Sequence, residues 1–143
     1  MSSIIRATLG FVFDPLFQQV VLIQKNRPEW QKGDINGLGG KCEGTETFTH
    51  CIAREVKEEA GIWIPSQNWR KHAQLKWENW NVTVFAAVFV GDLKQVQSVT
   101  DEVVAWYSVL ALPSSVKKNL PWLIPMGIDA LKNNELKLIT AVY

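Results

Sequence analysis

The apolar positions fall into short runs broken by turn residues, with two stretches of helical spacing set among them. Ile4 to Phe13 is apolar with polar interruptions and reads as a strand. Asp14-Pro15 is a turn signal, and Gln19 to Gln24 reads as the hairpin partner. Asn26 to Gly40 is rich in Gly, Pro, Asn and charge, so a long loop is expected there. A loop of that length in a small domain is usually functional. Thr47 suits an N-cap and Gly61 the position after the last helical residue, Ala60, which brackets a helix at 48–60. Ala73 to Trp77 and Val82 to Val90 read as strands, as does Val103 to Ser108 after the polar stretch Gln95 to Asp101. Pro121 sits where a second helix can begin, followed by an apolar stripe of Trp122, Leu123, Met126, Ala130 and Leu131. Leu136 to Val142 is expected as a closing edge strand. This order predicts an α/β fold, a mixed sheet covered by helices on both faces.

Composition narrows the picture. The 143 residues suit one domain with one core. Apolar residues make up 47% and charged residues 20%, the balance of an ordinary soluble chain. A formal net charge of +1 gives no overall field to recruit a membrane or nucleic acid, and no sequence-specific nucleic-acid partner is expected. Met1 to Arg6 lacks the pattern of a signal peptide, and no apolar run approaches the roughly 20 residues that span a bilayer. Cys42 and Cys51 are the only cysteines; their spacing fits neither a zinc knuckle nor a redox pair, and a reducing cytoplasm is the expected home. Seven tryptophans is a high count for this length, and such rings pack cores or stack on nucleobases.

The informative chemistry lies in Gly40-Lys-Cys-Glu-Gly-Thr-Glu46 and, seven residues on, Arg54-Glu55-Val56-Lys57-Glu58-Glu59-Ala60-Gly61-Ile62. On a helix, Glu55, Glu58 and Glu59 are neighbours on one face, beside an apolar face of Phe48, Ile52, Val56 and Ala60. Glu55 and Glu59 repel one turn apart, and Glu58 and Glu59 sit where the helix dipole disfavours anions. A solvated acidic face balanced by Lys57 is the plain alternative. A bound dication reverses the sign of each penalty, because hard Mg²⁺ seeks carboxylate oxygens and phosphates. Glu46 and Arg54 can pair across the helix start, while Gly39-Gly40 lets the backbone approach a ligand and offer a carbonyl to a metal.

Gly40 to Ile62 resembles the Nudix box, G-x5-E-x7-R-E-U-x-E-E-x-G-U with U aliphatic, at every specified position. The resemblance implies a Nudix-type α/β/α sandwich and a pyrophosphohydrolase using Mg²⁺, or Mn²⁺, to cleave a nucleoside diphosphate derivative by attack of water on phosphorus. It implies that Glu55, Glu58 and Glu59 bind metal together with a carbonyl of Gly39 or Gly40. Glu58 and Glu59 are the glutamates expected to matter most for turnover. Arg54 and Glu46 are implied as an orienting pair. Glu102, in Thr100-Asp101-Glu102, resembles the later-loop glutamate that serves many members as general base or extra ligand; a solvated loop acid is the competing reading.

Substrate marks are fewer. Ile35-Asn36-Gly37-Leu38-Gly39-Gly40-Lys41 resembles a stretch of MutT-like enzymes that clean oxidised purine nucleoside triphosphates, with Ile35 standing where that pattern has tryptophan. The resemblance makes Asn36 a base reader, since an Asn offers a donor and an acceptor side by side; a turn asparagine before Gly37 is the alternative. Lys118 and Asn119 stand where those enzymes carry acidic base-reading residues, so Asn119 is a further candidate. Trp77 and Trp80 are candidates for stacking on a base, and Lys41, Arg27 and Lys25 for phosphate contacts. The leading expectation is hydrolysis of a nucleoside triphosphate, canonical or modified, to monophosphate and pyrophosphate. An ADP-ribose or dinucleotide pyrophosphatase is the second reading and a non-catalytic nucleotide-binding module the third. The expected partner is a small-molecule nucleotide, and the sequence leaves a homodimer open.

Overall fold

The computed structural model describes residues 3–133 and 138–143. Strand β1 (Ile5–Phe13) turns at Asp14, whose carboxylate accepts the amides of Leu16, Gln18 and Gln19, into β2 (Gln19–Gln24). The expected hairpin forms, but the two strands pair only at its closed end, Phe13 opposite Val20. Beyond that point β2 leaves β1 and pairs antiparallel with β3 (Ile35–Asn36), while β6 (Val103–Ser108) pairs antiparallel with β2 along its whole length. The stretch expected as an unbroken loop therefore contains a two-residue strand, hidden by its Gly, Asn and charge content, and a 3-10 turn at Glu29–Gln31.

On its other side β1 runs parallel to β5 (Trp80–Val88), which pairs antiparallel with β4 (Arg70–Trp77). A final strand, β7 (Ile139–Val142), lies parallel to β4 at the sheet edge. The seven strands form one mixed sheet of order β3-β2-β1-β5-β4-β7, with β6 also on β2. Strand β4 starts earlier than its apolar run suggests, because the charged Arg70 and Lys71 pair with β5 ahead of a register shift between Lys71 and Ala73. The early part of the expected last strand, at Leu136, falls outside the described residues.

Helix α1 (Phe48–Ala60) covers one face and α2 (Leu120–Lys132) the other. Strand alternation divides the core accordingly. Leu9, Phe11 and Phe13 join the cluster of Leu120, Leu123 and Ile124 on the α2 side. Val12, Phe85 and Ala87 join the cluster of Ile52, Val56 and Ala60 on the α1 side. Each large side chain so buried stabilises the fold by roughly 1.5–3 kcal/mol before entropy is counted. Helix α2 starts at Leu120, one residue before the expected Pro121, and continues through Pro125.

Candidate active site

Helix α1 has the ends its sequence predicts. The Thr47 side chain accepts the amide of His50 at the N-terminus, and Gly61, at φ 75°, closes the C-terminus in the left-handed conformation. Because Ile52, Val56 and Ala60 face the sheet, the glutamates fall at the edge of the buried stripe. Their exposure is graded: Glu59 is 8% exposed, the Glu55 side chain 16% and the Glu58 side chain 55%.

The segment ahead of the helix is fixed by β1. Having lost β2, the first half of β1 must find other partners for its backbone. Gly10 exchanges hydrogen bonds with Leu38, the Thr8 amide donates to the Gly40 carbonyl at 2.9 Å, and Cys42 donates to the Arg6 carbonyl at 2.8 Å. Gly39 and Gly40 are thereby pressed between strand and helix. Gly39 has φ 135°, and a Cβ there would lie 2.1 Å from the Thr8 oxygen. A Cβ on Gly40 would lie 2.7 Å from Oε1 of Glu55. The close approach expected of this pair is thus to β1 and to a carboxylate together. The Gly39 amide donates to Oε1 of Glu59 at 2.8 Å. Since the Gly40 carbonyl already accepts from Thr8, the Gly39 carbonyl is the freer ligand of the two.

Arg54 ties these parts together. Its Nε and Nη2 donate to the two oxygens of Glu46 at 2.9 and 2.8 Å, the pairing expected across the helix start. Nη1 reaches Glu55 and Glu58, each at 3.1 Å, and Nη2 reaches the Lys41 carbonyl at 3.2 Å. The guanidinium holds the Glu46 carboxyl down at about 2. Glu59 behaves oppositely. Burial pushes its carboxyl up to about 8, with the nearby Glu55 charge adding to the rise and the Gly39 amide opposing it. Burial also raises Glu55. A buried carboxylate with so little compensation is costly, and a dication is the natural compensating charge. The donor set of three carboxylates and a backbone carbonyl is all hard oxygen and fits Mg²⁺ or Mn²⁺.

Other expected residues fall into two groups. Glu102 does come close enough for its charge to raise Glu59. Its oxygens, however, accept Lys25 Nζ at 3.1 Å and the amides of Asn26 at 2.6 Å and Arg27 at 3.3 Å. Burial alone would raise its carboxyl, but these donors outweigh it and hold it low. Those contacts anchor the chain at Lys25 to Arg27. Exposed Arg27 pairs with Asp101, and Lys25 serves Glu102.

The base-side candidates are more scattered. Asn36, on β3, accepts the Gly37 amide at 2.9 Å through Oδ1, the turn-type contact. Asn119 occupies the N-cap position of α2 without a side-chain cap bond. Trp77 and Trp80 stack on each other, with centroids 5.9 Å apart and planes 11° from parallel, and Lys41 lies 5.4 Å over the Trp80 ring. Two open hollows of about 550 and 570 Å³ lie elsewhere, one beside Gly61, Trp63 and Val99 and the other beside Phe17 and Leu110. Sequence reading missed the Lys25–Glu102 clamp, since nothing in spacing links residues so far apart. It also missed the meeting of Cys42, Cys51 and Glu46, whose ligand atoms all lie within 4.8 Å of one another. The cysteine spacing gives no sign of this; the β1 pairing of Cys42 and the place of Cys51 in the first turn of α1 create it.

No curated protein matches the chain. Among solved structures, a MutT NUDIX hydrolase from Burkholderia pseudomallei superposes with a TM-score of 0.73 at 17% identity, over 87% of this chain and 98% of that one. An ADP-ribose pyrophosphatase from Streptococcus suis gives 0.74 at 20%, over 95% and 98%. A MutT protein from Bacillus halodurans gives 0.68 at 24%, over 98% and 90%. These likenesses establish the Nudix α/β/α fold. The NUDIX domain family model matches residues 4–125, nearly the whole sheet and both helix starts. The chain belongs to the NUDIX family.

Proposed function

We propose that this chain hydrolyses a nucleoside triphosphate, canonical or modified, to the monophosphate and pyrophosphate, with Mg²⁺ as the working ion and Mn²⁺ as a substitute. The observation that supports this reading is that Glu55, Glu58 and Glu59 share one edge of α1 beside the Gly39-Gly40 backbone, with Arg54 bonded to Glu55 and Glu58 and the Gly39 amide to Glu59. Glu55, Glu58, Glu59 and the Gly39 carbonyl are the residues that would hold the ion. When bound, it supplies Lewis acidity toward phosphate oxygens and activates water.

The chain's own groups do the positioning. Arg54 fixes the spacing of Glu55 and Glu58 and, through Glu46 and the Lys41 carbonyl, locks the glycine segment to the helix. The Gly39 amide orients Glu59. Glu102 holds the segment from Lys25 to Arg27 at the rim. Lys41, exposed beside Trp80, would meet a phosphate. Asn36, at the end of β3 just ahead of the glycine segment, reads the base if its amide turns from Gly37.

The test is a panel of nucleoside triphosphates, their oxidised and methylated analogues, ADP-ribose and dinucleotides, each with Mg²⁺ and product analysis. Pyrophosphate release from triphosphates is the expected result. Turnover of dinucleotides or ADP-ribose alone transfers the assignment to that class, which the Streptococcus suis neighbour's activity makes the second reading. Tight nucleotide binding without turnover under either metal would make the chain a binding module.

A further inference from the structure

We propose that Cys42, Cys51 and Glu46 form a second metal site, one for a thiophilic divalent cation of the Zn²⁺ class, distinct from the three glutamates of α1. The two sulfurs and a Glu46 carboxylate oxygen all lie within 4.8 Å of one another. Zinc bonds of about 2.3 Å to sulfur and 2.0 Å to oxygen place tetrahedral ligand atoms about 3.5–3.8 Å apart. The cluster needs to contract by about 1.3 Å at most, within reach of side-chain rotation.

The ligands are presented from firm backbone. Cys42 is pinned to β1 through its amide and the Arg6 carbonyl, at 2.8 Å. Cys51 lies in the first turn of α1, its amide bonded to the Thr47 carbonyl at 2.9 Å. Its sulfur is buried, 3.4 Å from Thr8 Oγ1 and 3.7 Å from the Gly40 carbonyl. Cys42 is half-buried, which gives an ion a way in from solvent, and water can complete the tetrahedron.

Two observations select the class of ion. Sulfur donors favour soft and borderline cations and disfavour Mg²⁺, whose donors are the oxygens one turn further along the helix. Charge also balances. Two thiolates and one carboxylate carry one more negative charge than a dication neutralises, and Arg54, with Nη2 4.0 Å from the Cys51 sulfur, supplies the remaining positive charge. The guanidinium that would repel a lone cation is therefore matched to the loaded site. Binding forms two metal–sulfur bonds and releases the two thiol protons to water, with no change of oxidation state. Occupancy would draw one Glu46 oxygen from Arg54, the same residue that holds Glu55 and Glu58, so a soft ion and the carboxylate cluster share a link.

The site stands apart from the reaction proposed above, and its test reads sulfur ligation alone. The full chain, reduced and freed of metal, is titrated with Co²⁺ in excess Mg²⁺, followed by the thiolate-to-metal charge-transfer absorption. Zn²⁺ is then added in competition. One equivalent of Co²⁺ with a thiolate band that Zn²⁺ erases is the expected result. Cys42→Ser, at the half-exposed position and checked for fold by circular dichroism, should weaken binding by about tenfold or more. The proposal is overturned by absence of the band, by a band unchanged in both Cys42→Ser and Cys51→Ala, or by a disulfide as the only product. A chain inactive on nucleotides can still pass this test, and an active one can fail it.

Discussion

Glu59 is the most buried of the three α1 glutamates. Its carboxylate is 8% exposed, bonded to one backbone amide, and pushed up to about 8 by burial and by Glu55. A carboxyl raised in the folded state stabilises the fold below its ordinary value near 4.5, and that contribution is lost as pH rises through about 8. The metal-free protein is therefore expected to weaken from mildly acidic to alkaline pH at this residue. Glu59→Gln keeps the acceptor for Gly39 and removes the charge. It should stabilise the metal-free chain at pH 8 by roughly 1–3 kcal/mol, or roughly 3–8 °C in Tm, and make no difference near pH 4. The same change should lower kcat by roughly 100-fold or more, as should Glu58→Gln. Thermal melts at the two pH values, with turnover beside them, check this; a variant with unaltered Tm at pH 8 or undiminished kcat contradicts it. The position of Glu59 was legible in the sequence as a helix-face residue. Its burial was not, since that depends on how closely the glycine segment lies against α1.

At the scale of elements, α1 was readable to the residue because its caps and its apolar stripe agree. The segment before it was readable only as a loop. Its shape follows from β1, whose first half hydrogen-bonds Leu38, Gly40 and Cys42 after β2 has turned away. Long-range pairing of that kind leaves no local pattern, which is also why the Cys42–Cys51 meeting and the Lys25–Glu102 clamp were invisible. Gly39→Ala tests the segment's packing. The substitution meets both φ 135° and the Thr8 oxygen at 2.1 Å, and should cost roughly 2–4 kcal/mol. Gly44→Ala serves as control. It meets φ 51° with nothing within 4 Å, and should cost about 1 kcal/mol. Urea titrations of the two variants measure the difference, and equal losses would dismiss the close approach of strand and glycine as the reason for Gly39.

Across the whole molecule, two cores sandwich one sheet, and the α2 side contains a buried titratable group. His72 on β4 is 1% exposed, with Nε2 3.1 Å from the Leu123 carbonyl of α2. Burial lowers the imidazole to about 4, against two backbone contacts that raise it. A base held low in the folded state leaves stability intact above its ordinary value near 6.5, and that stability drains away as pH falls through about 4. The expected loss over that window is roughly 2–4 kcal/mol. The chain has two histidines, so their NMR resonances are readily assigned; His72 should remain neutral down to pH 5. A midpoint near 6.5 would show that α2 does not seal this face. The mixed sheet and its helix cover were foreseeable from element order, whereas the parting of β1 from β2, which opens room for the site, was not.

Helix α1 is expected to hold dications on Glu55, Glu58 and Glu59 beside the glycine backbone. Mn²⁺ binding followed by electron paramagnetic resonance, on the chain with Cys42→Ser in place to weaken sulfur ligation, tests this. Oxygen-ligated Mn²⁺ that Mg²⁺ displaces, and that Glu55→Gln, Glu58→Gln and Glu59→Gln each weaken by about tenfold or more, is the predicted result. Mn²⁺ affinity unchanged from the parent chain in all three glutamine variants would contradict it.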